Sequence, residues 1–112
     1  MNKLKIIFMG TPEFSVNVLE GLISNYDVVG VVTQPDKEVG RKHEIKFSPI
    51  KEVALKHDIR IYQPSNIKKE YEQLMKEPID MIVTCAYGQI IPKALLDFPK
   101  YGCINVHASL LP

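Results

Sequence analysis

Near the end of the chain, Gly102-Cys-Ile-Asn-Val-His-Ala-Ser-Leu-Leu-Pro112 sets an amide, Asn105, and an imidazole, His107, two residues apart in an apolar, strand-like run. Alternate residues of a strand share a face, so both side chains point the same way. An amide N–H₂ is a neutral donor for an oxygen that gains negative charge in a transition state. An imidazole, with an unperturbed pKa near ~6.5, holds or passes a proton at neutral pH. A structural asparagine and a satisfied histidine at a strand end would be spelled the same way, so the pair alone leaves both readings open. No nucleophile is visibly presented to His107, and the spacing of histidines and acids matches no metal site.

Three other stretches invite a chemical reading. In Tyr87-Gly-Gln-Ile-Ile-Pro92, Gly88 permits close backbone approach, and Ile90 and Ile91 could line an apolar slot whose free backbone groups read a flat heterocycle. A plain turn between strand and helix fits the same residues. The segment from Gln34 to Phe47 is long for such a connection and carries four Lys/Arg against three acids. It is either a solvated mixed-charge loop or a phosphate-contacting arm, with Gly40-Arg41-Lys42 as its most basic point. His43 reads as solvated. Met9-Gly-Thr-Pro-Glu-Phe14 sits where a dinucleotide fold places its glycines, yet only Gly10 of a G-x-G-x-x-G pattern is present. Glu13 would repel phosphate there, and Gly10 reads as a sharp turn.

These stretches need a frame that brings them together. Apolar runs at Leu4–Met9, Val28–Val32, Ile61–Tyr62, Ile79–Ala86 and Cys103–Val106 are near-continuous, as suits parallel strands covered on both faces. Helical stripes lie between them. Thr11-Pro12 predicts a cap and first turn ahead of Val16, Leu19 and Ile23. Ser48-Pro49 repeats that start before Ile50, Val53, Ala54 and His57, with His57 half-buried or capping at the helix end. Ile67, Tyr71, Leu74 and Met75 form a third stripe, and Pro92 opens a short fourth helix through Ala94, Leu95 and Leu96. The alternation predicts an α/β fold: an open, doubly wound, Rossmann-like parallel sheet. Ligands of such sheets bind outside the carboxyl ends of the strands, where every unusual stretch falls.

Bulk properties narrow the class. The chain has 112 residues, 46% of them hydrophobic and 24% charged, with a net charge of +1. It is about one domain long and not basic as a whole, so any nucleic-acid contact is local. The apolar run ending at Gly10 is too short for a signal-peptide core, and no stretch approaches a membrane span, which points to the cytoplasm and away from membranes. Cys85 and Cys103 read as small buried hydrophobes without redox or metal chemistry.

Together, "FMGTPEFSV", "VVTQPDKEVGRKHEIKFSPIKEVA", "AYGQIIP" and "INVHASLLP" resemble the N-terminal part of the methionyl-tRNA formyltransferase family, in order and spacing, over essentially the whole chain. Asn-x-His followed by Ser-Leu-Leu-Pro is shared by folate-dependent formyltransferases generally. The opening Gly-Thr-Pro-Glu-Phe and the Gln-Pro-Asp…Gly-Arg…Ser-Pro-Ile-Lys segment favour the methionyl-tRNA branch. The resemblance implies formyl transfer from 10-formyltetrahydrofolate, with no metal, to the α-amino group of methionine on initiator tRNA. It implies that Asn105 donates to a tetrahedral oxyanion and that His107 stabilises it and shuttles the proton. Folate would be held by Tyr87, Gly88, Gln89, Ile90, Ile91 and Pro92 together with Ser109, Leu110, Leu111 and Pro112, with Gln89 and Ile91 acting mainly through backbone. Arg41 and Lys42 would contact tRNA, from a loop less glycine-rich and less basic than the family's.

The family also has an aspartate that orients the histidine, further strands and a C-terminal tRNA-binding barrel, all falling beyond Pro112. The expectation is therefore that residues 1–112 form a truncated N-terminal portion of the catalytic domain, with an incomplete sheet and little activity alone. Two other classes stay open: another folate-dependent formyltransferase, of sugar-nucleotide type, and a non-catalytic Rossmann-like nucleotide-binding module. A third reading leaves only a folding or oligomerisation surface, through the edge of the final strand.

Overall fold

A computed structural model describes residues 3–107. Ser109, Leu110, Leu111 and Pro112 lie outside the described residues. The main sheet has five strands: β1 (Lys5–Gly10), β2 (Asp27–Val32), β5 (Ile61–Tyr62), β6 (Met81–Cys85) and β7 (Cys103–Asn105). Their order is β5-β2-β1-β6-β7, and every pairing is parallel. Strand order reverses beside β1, as in a doubly wound sheet.

The central strand shows why the apolar runs are continuous. Ile6 and Phe8 join one core with Leu19, Val31, Ile50 and Ala54, while Ile7 and Met9 join another with Val32, Ile67, Ile82 and Leu95. Successive β1 side chains thus enter opposite cores. The first core packs α1 (Val16–Asn25) and α2 (Pro49–Lys56). The second packs the short α3 (Ile67–Glu70) and α4 (Lys93–Leu96).

The Ser48-Pro49 start forms as read: Pro49 opens α2, and Ser48 Oγ accepts the Lys51 N–H at 3.1 Å. Thr11 does not cap a helix. Pro12 is extended, a 3₁₀ turn at Glu13–Ser15 intervenes, and the Thr11 hydroxyl instead donates to the Tyr87 carbonyl at 2.7 Å. His57 does occupy a C-cap position, but it is exposed rather than half-buried. The third stripe splits between α3 and a 3₁₀ segment, Tyr71–Met75, that still buries Ile67 and Leu74. Pro92 immediately precedes α4 instead of opening it, and Leu95 alone of the expected stripe is buried.

The largest departure is at 34–47. This loop contains an antiparallel ribbon, β3 (Lys37–Val39) and β4 (Glu44–Lys46), separate from the main sheet. Its base is anchored at Asp36, whose carboxylate accepts from Lys51 Nζ at 2.9 Å and Gln63 Nε2 at 2.7 Å. The Lys51 bond first, then the Gln63 bond, holds the Asp36 carboxyl below its ordinary pKa.

Gly10 is needed for close packing, not for a sharp turn. A Cβ there would lie 2.7 Å from the Cys85 carbonyl oxygen and 2.7 Å from the Phe8 ring. Gly10→Ala is expected to destabilise the chain by about 1–3 kcal/mol through overpacking. Gly21→Ala, in α1 with nothing within 4 Å, should stabilise it by roughly 0.5–1 kcal/mol. Urea unfolding of both variants checks the pair; equal midpoints would contradict the close-packing role.

Candidate active site

The carboxyl ends of β6 and β7 border a groove of about 750 Å³. Gly88, Ile90, Ile91 and Leu96 contribute to its wall, with Tyr87 and Gln89 from the same loop and Thr84 and Asn105 at the strand ends. The volume and mixed apolar and polar lining suit a small organic ligand. Ile90 is 76% exposed, an unusual state for isoleucine that leaves its side chain available at the rim. Pro92 does not line the groove.

Parallel pairing aligns Thr84 with Asn105, and the Thr84 hydroxyl donates to Asn105 Oδ1 at 3.0 Å. That bond fixes which end of the amide faces Thr84, and the Asn105 Nδ2 lies 3.4 Å from His107 Nε2. The structure therefore brings Asn105 and His107 together, both on the exposed side of the strand end. Thr84 itself is buried, at 7% exposure.

The loop after β6 is shaped by two residues at positive φ, Ala86 (54°) and Gly88 (105°). Gln89 tethers it through its side chain, which accepts the Ile67 N–H at 2.7 Å and donates to Gln34 Oε1 at 2.8 Å and the Pro64 carbonyl at 3.0 Å. These bonds occupy the Gln89 side chain, leaving its backbone as the part available to a ligand. Thr84, Gln34 and the Gln89 side chain are site-forming groups that sequence reasoning did not identify. The available signal was uncharged polar residues at or just after the ends of two strands, β2 and β6.

Arg41 and Lys42 are elsewhere. They sit exposed at the ribbon tip, between Gly40 (φ 74°) and His43 (φ 53°), and do not line the groove. His43 is exposed, with Nδ1 3.1 Å from Glu38 Oε2. Cys85 is buried and Cys103 half-buried, both as free thiols, and burial pushes the Cys103 thiol pKa up. Among the described residues, no group of three His, Cys, Asp or Glu could hold a metal ion, and no helix is long and apolar enough to cross a membrane.

The switch point between β1 and β6 is filled by the protein itself. Ser15 Oγ donates to the Cys85 carbonyl at 2.7 Å, beside the Thr11–Tyr87 bond. The hydroxyl contacts and close strand approach stand where a dinucleotide's phosphates would need room.

A family model described as "Formyl transferase" matches residues 3–112. Methionyl-tRNA formyltransferase of Geobacillus sp. (strain WCH70) is 58% identical over 112 residues, covering 97% of this chain and 35% of the relative. The Bacillus cytotoxicus protein of that name is 59% identical over 112 residues, covering 97% and 36% respectively. That of Listeria monocytogenes serotype 4a is 58% identical over 110 residues, covering 96% and 35%. The chain spans about a third of the length of these relatives.

Tyr87 supplies a test of the groove's construction. Its hydroxyl is buried with no hydrogen-bond partner among the described residues, and burial, with a smaller contribution from Glu70, pushes its pKa up to about 12. The neutral phenol is the form the fold favours. Its contribution is complete below the ordinary value of 10.0 and is lost as pH rises through about 12, because the unfolded state ionises first. Tyr87→Phe should remove this alkaline component and, by deleting an unsatisfied buried group, stabilise the neutral-pH fold by about 1 kcal/mol. Urea midpoints from about pH 8 to 12 and tyrosinate absorbance check both parts; loss of stability in Tyr87→Phe at neutral pH would show that the hydroxyl has a partner.

Proposed function

The chain belongs to the formyl transferase family, and from that premise we propose that it forms the formyl-donor side of an enzyme that formylates the α-amino group of methionine on initiator tRNA. On this reading residues 1–112 are the N-terminal portion of the catalytic domain, the donor is 10-formyltetrahydrofolate and the enzyme works in the cytoplasm. The observation that carries it is Asn105 at the β6–β7 groove, held by Thr84 and 3.4 Å from His107 Nε2.

The groove fits the donor's chemistry. Ile90, Ile91 and Leu96 offer apolar surface to a flat ring, and the backbone of Tyr87–Gln89 offers hydrogen-bonding groups beside it. Ser109, Leu110, Leu111 and Pro112 are assigned to the same ligand. When bound, the donor supplies an electrophilic formyl carbon. Asn105 acts through Nδ2, directing N–H toward an oxygen that gains negative charge. Thr84 positions that amide by occupying Oδ1. His107 takes the proton released by the attacking amine and passes it to the donor nitrogen, which departs as its bond to the formyl carbon breaks. Arg41 and Lys42, at the tip of an exposed ribbon, contact tRNA phosphates.

The test is made on this chain joined to the C-terminal portion of the Geobacillus relative. Formyl-methionyl-tRNA is the expected product; formylation of a sugar nucleotide in its place would overturn the substrate assignment. Asn105→Ala and His107→Ala should each lower turnover about 10²–10³-fold with the fold intact. Thr84→Val, which costs one hydrogen bond to the amide, should lower kcat by up to about tenfold and leave KM for the donor near normal. Near-normal rates in both alanine variants would refute the mechanism.

A further inference from the structure

The sheet also opens at the amino ends of its strands. On the face of the second core the covering elements are short: α3 has four residues and the 3₁₀ segment Tyr71–Met75 has five. They leave Val29 half-buried on an interior strand, between buried Val28 and Gly30. The result is a cavity of about 290 Å³ with apolar surface from Ile7, Val29, Leu74 and Ile79 and with Tyr62 and Gln73 beside them. Gly30 lets the Tyr62 ring lie close to the sheet: a Cβ there would be 3.1 Å from Tyr62 Cε2 and 2.9 Å from Ile7 Cδ1.

Charge is distributed unevenly around this opening. Lys5, Arg60 and Lys76 line the cavity together with one acid, Glu77. A depression of about 450 Å³ adjoins it, shares Arg60 and Glu77 and adds Asp58. None of the three cations forms an ion pair among the described residues. Asp27, the β2 partner of Lys5, and Asp80, which accepts the Lys5 backbone N–H at 2.7 Å, line neither depression. The opening is therefore basic at the end that holds Lys5 and Lys76 and acidic at the end that holds Asp58.

That polarity matches a nucleoside monophosphate. A phosphate monoester carries a charge of about −1.5 to −2 at neutral pH and accepts strongly from lysine and arginine. Ribose hydroxyls donate, and an ionised carboxylate only accepts. A base is a flat ring that stacks on aromatic side chains. We infer that this opening is a binding site for a nucleoside monophosphate, with the phosphate among Lys5, Arg60 and Lys76, the base against Tyr62 and the ribose hydroxyls toward Glu77 and Asp58. The site does not depend on the proposed function. It lies at the opposite strand ends from the catalytic groove: β1 runs six residues from Lys5 to Gly10, roughly 20 Å at about 3.3 Å per residue. A ligand bound here leaves the groove beside Asn105 open.

The probe is AMP, titrated into the 112-residue chain by calorimetry, with adenosine and inorganic phosphate for comparison. AMP should bind and raise Tm with concentration, and both smaller ligands should bind at least about tenfold more weakly. Lys5→Gln/Lys76→Gln should weaken AMP binding about tenfold or more and leave adenosine binding unchanged, with Tm of the free chain unaltered. Arg60→Gln, at another exposed position, should show the same pattern, and Tyr62→Leu should weaken AMP and adenosine alike. No AMP binding at millimolar concentration would overturn the site, as would inorganic phosphate binding as tightly as AMP. Equal losses in Lys68→Gln/Lys69→Gln on α3 would overturn it too, by reducing the effect to general surface charge. Formylation by the chain joined to the Geobacillus C-terminal portion should be the same in Lys5→Gln/Lys76→Gln as without the substitutions, so a failed site and a failed functional assignment give different results.

Discussion

The structure turns on the close approach of β1 to β6 at their carboxyl ends. Gly10 faces Cys85 with no space for a Cβ, and this contact brings the segment after β1 against the end of β6. Carbonyls at a strand's end have left the ladder and need other donors. Ser15 and Thr11 supply them, to Cys85 and Tyr87. With those groups satisfied, the chain turns away through Ala86 and Gly88 at positive φ, and the resulting loop walls the groove. A larger residue at position 10 would push the hydroxyls from their acceptors and disturb the loop, although none of these atoms need touch a ligand. The same closure explains where the open space lies. The crevice at the strand-order reversal is closed by the protein's own hydroxyls, so the depressions lie on either side of it, by β6–β7 and under the ribbon.

Much of the frame was legible because it follows from burial. Strands covered on both faces must be apolar at nearly every position, and the five runs lie on the five strands of the main sheet. Ser48-Pro49 was legible because its cap is local, complete within three residues. Thr11-Pro12 has much the same spelling and behaves differently, because a carbonyl 76 positions away competes for the hydroxyl. The ribbon at 37–46 was illegible for another reason. Its residues are exposed on both strands, so no apolar period marks it, and only pairing reveals that Lys37 meets Lys46.

The site was legible in part. Asn105 and His107 stand out because two polar groups interrupt an apolar run at alternate positions, and alternation alone puts them on one face. Thr84 could not be found in this way. A β-branched residue in a buried strand reads as a strand former, and its role depends on a register with β7 that no local pattern encodes. That register has a chemical consequence. A free amide at a strand end can turn either way, whereas one whose oxygen accepts from a buried hydroxyl is held in one orientation, with its nitrogen directed away from that hydroxyl. A donor fixed before the reaction stabilises developing charge without reorganising during it.

Gln34 joins the two halves of the proposed site. Its carbonyl accepts from Gln63, which also binds Asp36 at the ribbon base, and its side chain accepts from Gln89 in the groove loop. A Cβ on Gly88 would lie 2.6 Å from the Gln34 amide nitrogen, so the two loops are in contact as well as bonded. The ribbon base cannot shift relative to the groove loop without breaking the Gln34–Gln89 bond or taking the loop with it. Ribbon tip and base differ in attachment: the tip's hydrogen bonds, His43 N–H to the Gly40 carbonyl and the His43–Glu38 contact, stay within the ribbon. The base is tied by three side chains to α2, to the segment after β5 and to the groove loop. In the proposed reaction that division lets the tip meet a tRNA while the base stays in register with the groove loop.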